Sequence, residues 1–313
     1  MAEKDKQAEE LLEELSQLEK KRENWDDTWT EIQQNVVPRR TGFDTDNPQK
    51  GERHDSQMYD GTPTSALNLM AQSMQGYLLS PSYKWAGVRT VVEPLMRNRD
   101  VRLWLNQVDD ILFSLLMRSN FYREMHEYFL DAGSFGTATL YISEDLNDQR
   151  LWFSVRHPRE VFISENENEV VDTVFRRTEM TLKQVIESFG KENVHEDVLR
   201  QYEDNKYDTM LVLHAVKPNE RFDPNKEDNL SQKFISWYVD IGNIKVMRAR
   251  GYNENPYAVW RFYKNSDEEY GRSPSWDALP DILSIHQYAK TNINSAQMLT
   301  NPPLDIAEER RGQ

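Results

Sequence analysis

The chain has 313 residues, of which 38% are hydrophobic and 11% aromatic, so it can bury the core of one large domain or of two ordinary ones. Its net charge of −15 and pI near 5.0 argue against a protein that grips a phosphate backbone over a broad basic face. The lack of cysteine excludes a disulfide framework, a thiolate metal site and a thiol nucleophile. No stretch reaches the roughly 18 apolar residues that a membrane span needs, so we expect no membrane partner.

The first predicted element is a long helix from Lys6 to Val36. Its apolar residues step alternately by four and by three, and Arg22 occupies the one position that interrupts the series; they are Leu11, Leu15, Leu18, Trp25, Trp29, Ile32 and Val36. This apolar seam, the line of apolar side chains along one side of the helix, predicts that the helix packs on an apolar surface. That surface belongs either to the chain's own domain or to a neighbouring subunit. The second alternative makes Leu11, Leu15, Leu18 and Trp25 candidate subunit-interface residues.

A polar segment rich in turn-forming residues follows, from Pro38 to Gly61, and predicts a loop or arm. Its basic residues are Arg39, Arg40, Lys50 and Arg53. They indicate either a solvated loop or a contact with phosphate or a partner protein.

Beyond the arm, the hydrophobic period predicts helices at about 64–79, 97–118 and 122–132. The period then changes to two, which is typical of strands, in the runs 136–145, 151–158, 160–180, 209–218, 233–241 and 257–264. A further helix is expected at about 181–189, with Thr181 as its N-cap. The sequence therefore predicts an α+β fold with a mixed or antiparallel sheet.

Residues with the spacing of known catalytic or metal sites are missing from the sequence. The six histidines, His54, His126, His157, His195, His214 and His286, form no pair with metal-ligand spacing. The stretch GSFGTA at 133–138 has two glycines but precedes a strand and lacks the Lys-Ser/Thr ending of a phosphate loop. The acidic run ENENE at 165–169 is interpreted as a solvated hairpin tip. We therefore expect no enzyme activity, no metal and no cofactor.

The last predicted element is a long helix near the C-terminus. Ser273 is a suitable N-cap and Pro274 a suitable first residue, whereas Pro280 predicts a break, with the longer helix, about 30 Å long, running from Pro280 to Thr300. Apolar Ile285 and Ile293 alternate with polar residues on several sides, among them Gln287, Lys290 and Asn294. A helix buried in one domain would show a cleaner apolar stripe. This pattern favours a helix that packs between identical helices and has one side exposed to solvent.

Several motifs resemble those of portal proteins, the head-to-tail connectors of short-tailed, podovirus-like bacteriophages. They are YGRSP at 270–274, ALPDI at 278–282, NPPL at 301–304, MAQSMQGYLLSPSYKW at 70–85 and DAGSFGTATLYI at 131–142. The resemblance covers essentially the whole chain, and the order and spacing of the motifs agree together.

The resemblance implies a portal-like fold in four parts. Residues 1–62 would be the N-terminal helix and arm, 63–264 an α+β wing domain, 265–300 the stem helix region and 301–313 the start of the clip. Gln287, Lys290 and Asn294 become candidates to face the DNA channel, Ile285 and Ile293 candidates for contact between subunits. Asn301, Pro302 and Pro303 mark the start of the clip.

The resemblance also implies a function and a set of partners. Portal subunits form a ring, usually of about twelve copies, at one capsid vertex, and double-stranded DNA passes through it non-specifically during packaging and ejection. The implied partners are the terminase motor, tail adaptor and tail tube proteins, the capsid and scaffolding protein. The implied location is the virion, after assembly in the host cytoplasm. An acidic subunit suits such a conduit, because each added cation would hold the sliding duplex more tightly.

One departure and two rival functions qualify this interpretation. Portal proteins continue well beyond the start of the clip, so the sequence predicts either a truncated chain or one part of a split gene. The first rival is another phage neck or tail adaptor. The second is an enzyme whose site is scattered along the chain.

Overall fold

The computed structural model describes residues 5–40, 42–43, 58–145, 150–224, 226 and 228–300. Its helices are α1 (Lys6–Asn35), α2 (Thr62–Leu78), α3 (Glu93–Arg97), α4 (Arg99–Arg118), α5 (Phe121–Phe135), α6 (Leu182–Phe189), α7 (Glu196–Asp204) and α8 (Pro274–Thr300). Its strands are β1 (Thr137–Asp145), β2 (Arg150–Arg156), β3 (Val161–Glu165), β4 (Val171–Thr181), β5 (Thr209–Pro218), β6 (Phe234–Asp240), β7 (Lys245–Tyr252) and β8 (Tyr257–Arg261). The predicted α+β class is confirmed.

The strands form two antiparallel sheets. The small sheet has the order β2-β1-β8 and the large one the order β3-β4-β5-β6-β7. The chain leaves the small sheet after β2 and builds the large sheet from consecutive antiparallel strands, with α6 and α7 inserted between β4 and β5. It returns with β8 to pair with β1, so that Leu140 lies opposite Ala258. This return brings the residues before α8 back to the end of α5.

Helix α1 packs on the subunit's own sheets. Leu11, Leu15 and Leu18 are buried in a core with Phe162 and Val239 of the large sheet. The last turns of α1 enter a second core through Trp29, Ile32 and Val36, which meet α2, α5, the small sheet and the first turns of α8. The seam is therefore satisfied inside the subunit, which agrees with the first of the two alternatives.

The break in the α1 seam is explained by Arg22. Its side chain is buried, and Nη1 donates to the carbonyl oxygens of Pro158 and Val161, each at 2.8 Å. The guanidinium also lies 4.0 Å from the ring centroid of Phe162. Arg22 thus ties α1 to the start of β3 by satisfying backbone acceptors that burial has removed from water.

Two predicted features differ from the structure. Pro280 does not divide the last helix, because the chain forms one helix from Pro274 to Thr300. A proline removes one helical hydrogen bond, and here the helix continues on both sides of it. Ser284 Oγ also donates to the Pro280 carbonyl, at 2.9 Å. The acidic run at 165–169 is a hairpin tip, as predicted, but Glu165 is largely buried and paired with Arg261 instead of being solvated.

Candidate functional site: the projecting C-terminal helix

The start of α8 is fixed by close backbone contact with the end of α5. Gly136 has a φ of +79°, and a Cβ on it would lie 2.2 Å from the Gly271 carbonyl oxygen. A Cβ on Gly271 would in turn lie 2.4 Å from the Gly136 carbonyl oxygen. Both positions therefore need glycine, the first for its conformation as well as for space.

Hydrogen bonds reinforce this contact. The Gly271 amide donates to Thr137 Oγ1 at 2.9 Å, and Ser273 Oγ donates to the Ser134 carbonyl at 2.6 Å. Ser273 also caps α8, because its Oγ accepts from the Trp276 amide at 3.0 Å. The N-cap predicted from the sequence is thus confirmed.

Three of the motifs that carry the resemblance meet at this point. The first is MAQSMQGYLLSPSYKW, whose Met70 side chain lies against Gly133, so that a Cβ there would have to displace the Met70 methyl group. Gly133 and Gly136 belong to DAGSFGTATLYI, and Gly271 and Ser273 to the YGRSP run. Segments far apart in the chain therefore build one rigid mount for α8.

His286 is the last buried residue of α8. Its Nδ1 accepts from the amides of Tyr59 and Asp60, at 3.3 and 3.2 Å, and its Nε2 lies 3.2 Å from the Asn35 carbonyl. Because Nδ1 faces two donors, the ring carries its proton on Nε2, which donates to Asn35. A single side chain thus links α8 to the end of α1 and to the residues that lead into α2. The spacing of the histidines in the sequence gave no sign of this role.

Beyond His286 the helix leaves the body of the subunit. Every residue from 291 to 300 is exposed among the described residues, on all sides of the helix. Apolar side chains are included, with Ile293 exposed by 44% and Leu299 by 85%. Two turns or more of helix therefore stand in solvent with apolar surface that this subunit does not cover.

The predicted channel and interface residues on α8 are exposed or half-buried in the subunit. Gln287 and Asn294 are exposed, and Lys290 is half-buried with its ammonium 5.5 Å from the Tyr59 ring centroid. Ile285 and Ile293 are exposed on the same helix. Their proposed roles in the channel and between subunits remain predictions.

The α1 candidates lie elsewhere. Leu11, Leu15 and Leu18 are at most 5% exposed, so the subunit's own core leaves them almost no surface for a neighbour. Trp25 is half-buried against Tyr270 and Trp276, with ring centroids 5.8 and 5.1 Å away. The prediction that the three leucines contact another subunit is therefore replaced by packing on the large sheet.

The arm's described basic residues are paired within the subunit. Arg40 forms an ion pair with buried Asp131, and both Arg39 and Arg40 lie near Glu127. Burial raises the pKa of the Asp131 carboxyl to about 6, although the Arg40 charge opposes this shift. Lys50, Arg53 and the predicted clip residues Asn301, Pro302 and Pro303 lie outside the described residues.

Within the described part of the chain, no three His, Asp or Glu side chains are placed to hold a metal ion together. The same residues include no helix that is long and apolar enough to cross a bilayer.

These features define an α+β body of two antiparallel sheets, from which one helix projects. Residues 8–313 match the family described as bacteriophage head to tail connecting protein, so the chain belongs to that family. It is 26% identical over 306 residues to a probable portal protein of Bordetella phage BPP-1, and 27% identical over 309 residues to the portal protein of Salmonella phage epsilon15. Each alignment covers 97% of this chain and 55% of the relative. The chain thus spans about half the length of the curated relatives it matches.

Proposed function

We propose that this chain is a subunit of a portal ring, through which double-stranded DNA enters and leaves a phage head at one capsid vertex. The observation that carries the proposal is the projecting half of α8, whose apolar side chains the subunit does not cover. Membership of the head-to-tail connecting family and the two relatives named as portal proteins support the same function.

The two sides of α8 suit different surroundings in such a ring. At 3.6 residues per turn, Gln287, Lys290 and Asn294 fall on one side of the helix, and Ile285, Ala289 and Ile293 fall on the other. The apolar side is continuous with Ile282, which packs on the body. We assign the apolar side to contacts between neighbouring helices and the polar side to the DNA channel, as the stem of the ring.

The polar side carries one cation among amides, in a subunit whose net charge is −15. Nearly neutral channel walls on an acidic protein would hold phosphates weakly, so that the duplex can slide. The DNA therefore passes without sequence recognition. The terminase motor, tail adaptor and tail tube proteins, capsid and scaffolding protein are the partners that such a ring would meet in the virion.

End-on electron microscopy of the purified gene product tests this function. A closed ring, of about twelve copies, with a hole wide enough for duplex DNA is expected, with α8 helices lining the hole. Rings in which α8 points away from the hole would instead support the second candidate, another neck or tail adaptor of the phage. Monomers at all concentrations would overturn both.

A further inference from the structure

The described part of the subunit has a second apolar surface, away from the projecting half of α8. Nine of its exposed large apolar side chains lie between residues 83 and 117, against six on α8. We call the outer side of α4 together with residues 83–95 the α4 face. Its most exposed members include Val91, Val92, Leu103, Trp104, Ile111 and Met117.

The α4 face is held in place from within the subunit. Trp85 packs between Phe113 and Phe121, with ring centroids 5.4 and 6.0 Å away. Asp109, which is buried, accepts from the Val88 amide at 2.7 Å. A fixed backbone therefore presents the apolar side chains, which lowers the entropic cost of binding a partner.

The charge of this region is opposite to that of the subunit. Residues 78–118 contain six Lys and Arg but four Asp and Glu, in a chain with a net charge of −15. The two carboxylates in the middle of α4 are already engaged, Asp109 by the Val88 amide and Asp110 by Lys84. Arg99, Arg102 and Arg118 are exposed and make no ion pair with another described residue. The α4 face is thus apolar with free arginines at its margin, and its partner should be acidic.

A ring needs more contact than the projecting helix supplies. A stable interface buries about 800 Å² on each partner and involves roughly 20–30 residues a side, whereas residues 291–300 span only about 15 Å of helix. In a closed ring, each subunit also presents two different surfaces, one to each neighbour. The projecting residues of α8 therefore do not account for the whole contact, and the body offers the α4 face as a further apolar surface.

We propose that the α4 face docks against the adjacent copy of this chain, an inference that rests on the proposed ring. Trp, Met and Arg are enriched in protein interfaces, and all three occur on this face. Outside residues 78–118 the chain is more acidic than its average, so the neighbouring copy offers the carboxylates that the free arginines of the α4 face require.

Site-specific cross-linking tests which chain covers the face. The sequence has no cysteine, so Ser114→Cys, on the exposed side of α4, gives a single attachment point for a benzophenone maleimide. Rings are assembled from equal amounts of isotopically light and heavy subunits and irradiated. We expect light–heavy pairs that join α4 to a different region of the chain. Same-isotope pairs alone would show that the α4 face is covered by its own subunit. Pairs that join α4 to α4 would show a two-fold contact. Either result overturns the proposal.

A pair of variants tests the energetic contribution. Trp104 is 61% exposed in the subunit, so Trp104→Asp should leave folding intact while raising the concentration for half-assembly by at least ~10-fold. Trp104→Phe keeps most of the apolar area and should assemble nearly as the wild type does. Equal assembly of both variants overturns the proposed docking, whereas a wild-type protein that forms no rings by microscopy overturns the portal function as well.

Discussion

At the scale of single residues, the side chains with the largest structural consequences are buried and polar. Arg22 interrupts an apolar series and His286 sits in a half-polar helix, and each joins segments that are distant in the chain. Sequence periodicity marked Arg22 as an exception to a pattern, whereas it did not single out His286. It could not show what they bind, because their partners are backbone carbonyls and amides, which every residue carries.

Replacing Arg22 tests its role in joining α1 to β3. Arg22→Met keeps the volume but leaves the carbonyls of Pro158 and Val161 without donors, and it removes the charge that faces Asp26. We expect a loss of about 2–4 kcal/mol in the free energy of unfolding, measured with urea. Lys21→Met, on the exposed side of the same turn, is the control and should change it by less than about 0.5 kcal/mol. Equal effects of the two changes would contradict the assigned role.

Acid should destabilise the subunit partly through His214. The His214 ring is buried, stacks 4.1 Å from the Tyr238 ring centroid, and has Nδ1 2.7 Å from the Tyr257 hydroxyl. Burial lowers the pKa of His214 to about 3, and the charges of Arg176 and Arg156 add to this shift. Between about pH 6.5 and pH 3, the His214 ring is protonated in the unfolded chain but not in the folded chain. The free energy of unfolding therefore falls as the pH drops through this range.

The variant His214→Gln removes this titration. Between pH 7 and pH 4, the wild-type free energy of unfolding should fall by roughly 2–4 kcal/mol more than that of the variant. His126→Gln, the same substitution at a histidine that is only half-buried, serves as the control. The same pH dependence in His214→Gln as in the wild type would show that the His214 ring is protonated without cost in the folded state.

At the scale of elements, strong periodicity predicted structure well and mixed composition did not. The run 209–218 is strand β5 at the predicted bounds, because its five buried residues are continuous and include the β-branched Val212 and Val216. Strand β7 was missed, since basic residues alternate through it, and α7 was missed because only Val198 of its nine residues is buried. Both elements are specified by their neighbours in the fold. The mount of α8 likewise depends on glycines meeting across the chain, which one sequence does not reveal.

Two adjacent residues on α8 separate the contact side of this helix from its channel side. Ile293 is 44% exposed and Asn294 is also exposed, so a carboxylate at either position should leave the subunit folded. Ile293→Asp places a charge between neighbouring helices and should weaken association by at least ~10-fold. Asn294→Asp, with the same charge on the other side, should assemble normally. Analytical ultracentrifugation across a concentration series measures both, and impaired assembly by Asn294→Asp alone would reverse the assignment of the two sides.

At the scale of the whole subunit, α1 contributes to two hydrophobic cores. Its N-terminal half covers the large sheet, and its C-terminal half enters the core shared by α2, α5, the small sheet and α8. The sequence showed the length of the helix and its apolar seam. It did not show that one seam serves two cores, because the sheets that complete them are formed by strands from residue 137 onwards.

Removal of residues 1–35 should therefore unfold more than the end of the chain. Phe162, Phe175 and Leu213, each at most 1% exposed, would become accessible to water. The loss of Trp29 would leave a cavity in the second core. Each large side chain lost from a core costs about 3–5 kcal/mol, and typical domains have 5–15 kcal/mol in total. We expect a truncated chain that binds a hydrophobic dye and lacks a cooperative thermal transition. Deletion of residues 2–4 is the control, since it removes none of the buried side chains of α1. A cooperative transition after the longer deletion would show that the sheets close their cores without this helix.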